Sequence, residues 1–289
     1  MRIASLLPSA TEIICALGLA DSLVGVSHEC DFPPEVVAHL PKLTRSSLAH
    51  GLSSAGIDQA VSQQVGEGHS LYGLDEELLT QLRPDLVVTQ ELCDVCAVSF
   101  SEVKRLAKLL PGNPPVLSLN PPNIEGIFED VISVARAAGV ESRGEQLVAS
   151  LRLQLQQVAK SVAGKPMPSV FMMEWLDPPF SAGHWVPEMV QLAGGREVLG
   201  RAGEKSQRVT WQQVIAEQPE FIFLIPCGYT QFQAQAEWDT LAKPAGWETI
   251  PAVQRGQVYA LDANGYCSRP ATRVAEGVAV LAGYLHPER

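Results

Sequence analysis

Apolar residues occur along this chain in two kinds of run. Arg2–Leu7, Leu23–Val26, Asp85–Thr89 behind Arg83-Pro84 and Val116–Leu119 behind Pro114-Pro115 are short and continuous. They have the length and flanks of buried strands. Around Glu76–Leu82, Ser101–Leu110 and Glu125–Ala138 the apolar residues recur at helical spacing. Strands alternating with helices predict parallel pairing through right-handed crossovers. Directly behind the first run, Pro8-Ser9-Ala10-Thr11-Glu12 reads as a helix start. Ser9 with Glu12 three residues on forms a capping box, and Gly18 is the stop.

After a break at Gly139-Val140 the pattern lengthens. Glu141–Ala163 holds no proline, and Leu147, Leu151, Leu155 and Val158 repeat at helical spacing. A helix of about 20 residues spans roughly 30 Å, the width of a small lobe. Gly164-Lys165-Pro166 breaks it, and the strand–loop–helix plan restarts. Ser169–Glu174, Glu220–Pro226 and Gln257–Asp262 read as strands; Pro187–Leu192, Trp211–Glu217 and Ala271–Leu285 read as helices. The expectation is an α/β chain of two lobes with parallel-sheet cores joined by one long helix. The N-terminal lobe covers residues 1–120, the connecting helical segment 121–165 and the C-terminal lobe 166–289. Gly51–Gly73, polar and glycine-rich, reads as a surface excursion or flap.

Composition narrows the function. The chain has 289 residues, 46% hydrophobic and 18% charged, enough apolar material for a real core. Its net charge of −11 disfavours nucleic acid and anionic membrane surfaces. The longest apolar runs, such as Phe221–Pro226 and Val278–Leu281, are far below the roughly 20 residues of a helical membrane span. Met1-Arg2 is followed by a strand-length run that stops at a proline, with no leader pattern, so the expected location is cytoplasmic. A missing leader would move it to the periplasm or cell surface. The six cysteines, in a cytosolic chain of this length, do not read as a disulfide framework.

In open parallel sheets, ligands bind beyond the carboxyl ends of the strands. The loops there are Pro8–Thr11, Ser27–Pro34, Gln90–Ser99, Trp175–Pro187, Cys227–Phe232 and Ala263–Pro270. They gather Phe32, Trp175, Phe180, Trp185, Tyr229, Phe232 and Tyr266, with His28, His184, Arg269 and several carboxylates. Each aromatic alone could pack its own lobe, but together they describe an apolar cleft. In Glu174–Trp185, Trp175, Phe180, Trp185 and the stiff Pro178-Pro179 pair make a broad surface suited to a flat or bulky ligand.

Cys93-Asp94-Val95-Cys96 admits three readings: a metal site completed by His28 and Cys30, a redox pair, or two small residues in a tight turn. His184 reads as a hydrogen-bonding cleft residue or as a ligand to a metal centre. Glu12, Glu29 and Asp31 would serve as general acids, or Glu12 as a helix cap. Arg269, before the last helix, would meet a ligand or a structural acid. G-x-S-x-G, G-x-x-x-x-G-K-[ST] and H-E-x-x-H are all absent, and no G-x-G-x-x-G follows the first strand.

Arg2-Ile3-Ala4-Ser5-Leu6-Leu7-Pro8-Ser9-Ala10-Thr11-Glu12 resembles the opening of the helical-backbone periplasmic binding proteins, which serve vitamin B12, haem and iron–siderophore ABC importers. Arg83–Val88, the helix after Pro122, Leu192-Ala193-Gly194-Gly195, Gln218–Ile222 and Arg269-Pro270 through Leu281 extend the likeness over nearly the whole chain. Within the family it is most similar to the cobalamin-binding branch. The resemblance implies two Rossmann-like lobes, a backbone helix and a ligand held between the lobes. By position, the first-lobe wall would be Pro8, Ser9, Ala10, Thr11, Glu91, Cys93, Asp94 and Cys96, with His28 and Glu29 in the adjoining loop. The second would be Trp175, Phe180, His184, Trp185, Cys227, Gly228, Tyr229, Tyr266 and Arg269. The implied function is non-catalytic binding of a corrinoid, haem or another large metal chelate for an ABC permease, with no cofactor required. The alternative is a cytosolic metal-binding protein or metalloenzyme that uses Cys93 and Cys96 with His28 and Cys30, with zinc as its metal.

Overall fold

The computed structural model describes residues 1–49, 51–66, 71–90 and 100–287. The chain is α/β and divides into two units. The first is Met1–Leu52, Gly56–Pro121 and Gly126–Ala149; the second is Ser53–Ala55, Pro122–Glu125 and Ser150–Arg289.

The first unit is built on a parallel four-stranded sheet in the order Leu23–Val26, Ile3–Ser5, Leu86–Thr89, Val116–Ser118. Because all four strands run the same way, the segments that follow them leave from one edge. Ala4, Val87 and Leu6 meet Leu43, Leu79 and Val103 in its core. The helix Glu76–Leu82 matches its expected span: Asp75 accepts from the Leu78 N–H at 2.9 Å, and Glu76 and Glu77 suit the positive end of the helix dipole.

The second unit carries a six-stranded mixed sheet. Ser169–Trp175, Phe221–Leu224 and Val258–Ala260 form its parallel centre, and the two-residue strand Arg196–Glu197 pairs parallel with Ser169–Trp175. Phe180–Ser181 and Gln207–Arg208 add antiparallel partners, a departure from the all-parallel expectation. Phe171, Ile222, Leu224 and Trp238 share its core with Trp247, whose ring centroid lies 5.1 Å from that of Trp238. Full burial of a side chain the size of Phe171 contributes about 2–3 kcal/mol. The helix Trp211–Glu217 matches its expected span under a Thr210–Gln213 capping box. Gly194, at φ +79°, ends the helix Val186–Leu192 in the left-handed region that disfavours a side chain.

The long helix is Glu141–Val162, 22 residues, with Leu151 and Leu155 buried. Three expectations need correction. The first helix is Pro8–Ala16, and its N-cap is Leu7 with no side-chain cap, so Ser9 and Glu12 form no capping box. Proline at the first helical position has its φ already set and no N–H to satisfy, which places the N-cap at Leu7, two residues before Ser9. Gly51–Gly73 is not a bare excursion: it contains the helix Ser54–Gly66 and the strand Tyr72–Leu74, which pairs antiparallel with Thr44–Ser46. The last helix begins at Val274 instead of Ala271, behind a separate short helix Ala263–Tyr266. Among the described residues no helix is long and apolar enough to cross a membrane.

Candidate functional site

In the first unit the expected wall is largely internal. Ser9, Ala10 and Thr11 are buried in the first turn of their helix; Pro8 is half-buried. The Thr11 hydroxyl donates to Ser5 Oγ at 2.8 Å and lies 3.1 Å from Cys30 Sγ. These residues therefore knit the helix start to the Ser27–Cys30 segment. His28 is half-buried, with Nδ1 2.7 Å from Thr44 Oγ1, Nε2 3.1 Å from the exposed Glu29 carboxylate and its ring 5.4 Å from that of Tyr72. Its ring is thus hydrogen-bonded at Nδ1, while Nε2 faces the Glu29 carboxylate without a hydrogen bond among the described residues. Glu91, Cys93, Asp94 and Cys96 lie outside the described residues.

No group of three or more His, Cys, Asp or Glu assembles into a metal site among the described residues, and the expected set of His28 and Cys30 with Cys93 and Cys96 has two members outside them. Burial pushes the Cys15 thiol up to about 11 and the Cys267 thiol up to about 12; nearby acids add to both effects. Both stay protonated and make poor thiolate ligands or nucleophiles.

The second unit is different. Its loops are tied to one another by side chains. The Trp185 indole donates to the Cys267 carbonyl at 2.9 Å, linking Trp175–Pro187 to Ala263–Pro270. The Gly183 N–H donates to the Glu174 carboxylate at 3.3 Å, and Ser206 also bonds to it. Burial outweighs those two bonds and raises the Glu174 pKa above its ordinary value. A Cβ on Gly183 would come within 2.4 Å of the Glu204 carbonyl oxygen, so these two backbones approach as only glycine permits. Glu197 accepts from the N–H groups of Met172 at 3.0 Å, Leu199 at 3.2 Å and Gly200 at 3.1 Å; burial still pushes its carboxyl up to about 7.

On this frame sit the aromatic candidates. Trp175 is half-buried and packs edge-on against Tyr229 at 5.9 Å. Phe180 is half-buried, with the Arg208 guanidinium 5.5 Å from its ring centre. His184 holds φ 53°, stacks on Trp185 at 5.7 Å and has no hydrogen-bond partner for Nδ1 among the described residues. Burial, then Lys205, lowers its pKa, so the ring is neutral at neutral pH. Trp185 is itself buried, a support for the wall more than a face of it. Cys227 and Gly228 are exposed, and Phe232 beside them is 81% exposed. Tyr266 ends a short helix capped by Asp262, which accepts from Gly265 N at 3.0 Å; Arg269 is half-buried and has an interaction within the protein.

Glu237, Ser54, Glu174 and Glu197 escape sequence reasoning as site residues. The Thr230–Gln233 capping box is the one local signal that would have revealed the helix Gln231–Thr240, on which Glu237 sits.

Known proteins agree with this architecture. The chain is 25% identical over 287 residues to a vitamin B12-binding protein of Vibrio cholerae, covering 98% of this chain and 88% of that one. It is 26% identical over 294 residues to YvrC of Bacillus subtilis, an ABC transporter substrate-binding lipoprotein, covering 99% and 80%. Among solved structures, the periplasmic haem-binding protein RhuT of Roseiflexus superposes with TM-score 0.72 at 23% identity, covering 99% of this chain and 97% of that one. BtuF, the periplasmic vitamin B12-binding protein of Vibrio cholerae, gives 0.68 at 24%, covering 98% and 96%. The family model for periplasmic binding proteins matches residues 3–264, nearly the whole chain: this protein belongs to the periplasmic binding protein family.

Proposed function

We propose that the protein is a non-catalytic binding protein for a corrinoid, or another tetrapyrrole-sized metal chelate, which it hands to an ABC permease. The observation that carries this reading is the tethered aromatic set of the second unit: Trp175 at the carboxyl end of a central strand, Phe180 on the antiparallel strand paired with it, and His184 and Tyr229 on the loops that follow. A broad, preordered apolar surface binds a flat ligand with little entropy loss. The names of the relatives, vitamin B12 and haem binders, point to the same ligand class. Pro8, His28 and Glu29 are the proposed first-unit contacts, with the buried Ser9, Ala10 and Thr11 in the helix turn that carries Pro8. Glu91, Cys93, Asp94, Cys96, Cys227, Gly228, Tyr266 and Arg269 complete the proposed contact set. We place the protein in the periplasm or at the cell surface, since BtuF and RhuT are named periplasmic and YvrC a lipoprotein.

The test is calorimetric titration of the purified protein with cyanocobalamin and with haemin. Micromolar or tighter binding of one supports the reading. No heat and no visible-spectrum change for either at high micromolar concentration would overturn it.

A further inference from the structure

One carboxylate in the second unit stands apart from the contact set and holds two of its members. Glu237 uses both oxygens. Oε1 accepts the Ser54 backbone N–H at 2.7 Å, and Oε2 accepts the Tyr229 hydroxyl at 2.7 Å. The Ser54 carbonyl in turn accepts the Trp175 indole N–H at 3.1 Å. Ser53–Ala55, Trp175, Tyr229 and Glu237 all belong to the second unit, and Ser54 is fully buried. Trp175 and Tyr229 also meet each other edge to face. Their polar handles are therefore occupied by the protein, which leaves their rings to meet a ligand.

We infer that Glu237 is the positioning residue of the aromatic wall: it fixes Tyr229 directly and Trp175 through Ser54. The inference rests on the reading of Trp175 and Tyr229 as ligand contacts. Burial, then the hydrogen bond and charge of Glu237, push the Tyr229 hydroxyl well above the ordinary tyrosine range, as expected for a phenol that donates to a carboxylate. Charge-assisted bonds of this kind are roughly twice as strong as neutral ones.

Three variants separate geometry from charge. Glu237→Gln retains an acceptor for the Ser54 N–H and offers an amide donor to the Tyr229 oxygen. Glu237→Asp is one methylene short of both partners, and Glu237→Ala removes them. Two readouts need no ligand. In Glu237→Ala and Glu237→Asp, the Ser54 amide should exchange at least tenfold faster by hydrogen exchange. In all three variants, Tyr229 should ionise at lower pH by absorbance titration. The third readout is the affinity for cyanocobalamin and haemin. It should fall about tenfold in Glu237→Ala and Glu237→Asp and stay within about threefold of wild type in Glu237→Gln. Unchanged exchange and unchanged Tyr229 titration would overturn the positioning role whatever the ligand. Unchanged affinity in Glu237→Ala, against a wild type that binds, would overturn its bearing on the wall. A wild type that binds neither probe overturns the ligand reading instead, and with it the wall that Glu237 is said to position.

Discussion

The two units share a plan, parallel central strands with segments leaving from one edge, yet they treat those segments differently. In the first unit the segment behind Ser5 goes straight into a helix. Its polar residues turn inward: Thr11 bonds Ser5 and lies against Cys30, and His28 is held by Thr44. In the second unit the segment behind Trp175 turns back through the short antiparallel strand Phe180–Ser181 into a loop, where the Glu174 carboxylate holds the Gly183 N–H and the Trp185 indole ties to the Cys267 carbonyl. The same topology thus yields a compact helix start in one case and a stiff aromatic wall in the other. What decides is whether the chain behind the strand can satisfy its own backbone donors. A helix does so internally beyond its first turn, whereas a loop needs side chains to do it.

The largest effect that sharpens this contrast is expected at Glu197. Glu197→Gln sets an amide donor against one or more of the backbone N–H groups that the carboxylate now accepts. The loss should be about 3 kcal/mol, or a fall of about 8 °C in the thermal midpoint. Its first-unit counterpart, Thr11→Val, removes one hydroxyl contact set and should cost about 1–1.5 kcal/mol in chemical denaturation. Equal losses would break the contrast.

A smaller effect lies in pH. Asp130, on the helix Ile124–Ala137, is pushed up to about 7 by burial and then by Glu129. The folded state then holds a proton that the unfolded state has released, so this group makes stability fall as pH rises from about 4 to 7. Asp130→Asn should flatten the thermal midpoint across that window relative to wild type, by no more than a few degrees because the group is only partly buried. An unaltered slope would show that Asp130 is already ionised in the folded protein.

Much of this architecture was legible in the chain itself. Glu76–Leu82 and Trp211–Glu217 were readable because an apolar stripe coincides with cap residues, and Gly18 and Gly194 because they take up positive φ after a helix. Phe180–Ser181 and Gln207–Arg208 were not, since two residues cannot show a period. Gln231–Thr240 was missed because Ala234 and Trp238 are the sole buried residues on a mostly polar helix. Pairing also hid part of the site. Trp175 and Tyr229 stood out as aromatics in expected loops, but Glu237 reaches Trp175 through Ser54, 183 positions away, and no local pattern encodes that meeting. At Ser9 the sequence misled: a capping-box pattern was present, and proline's preference for the first helical position overrode it.

The most direct test of the central claim, that the second unit supplies the principal ligand wall, is the dissociation constant for cyanocobalamin and haemin in wild type, Trp175→Ala and His28→Ala, measured side by side by calorimetry. Trp175→Ala should weaken the better ligand by roughly 30-fold, about 2 kcal/mol, and His28→Ala by no more than about threefold. The reverse order, with His28→Ala costing more than Trp175→Ala, would contradict it.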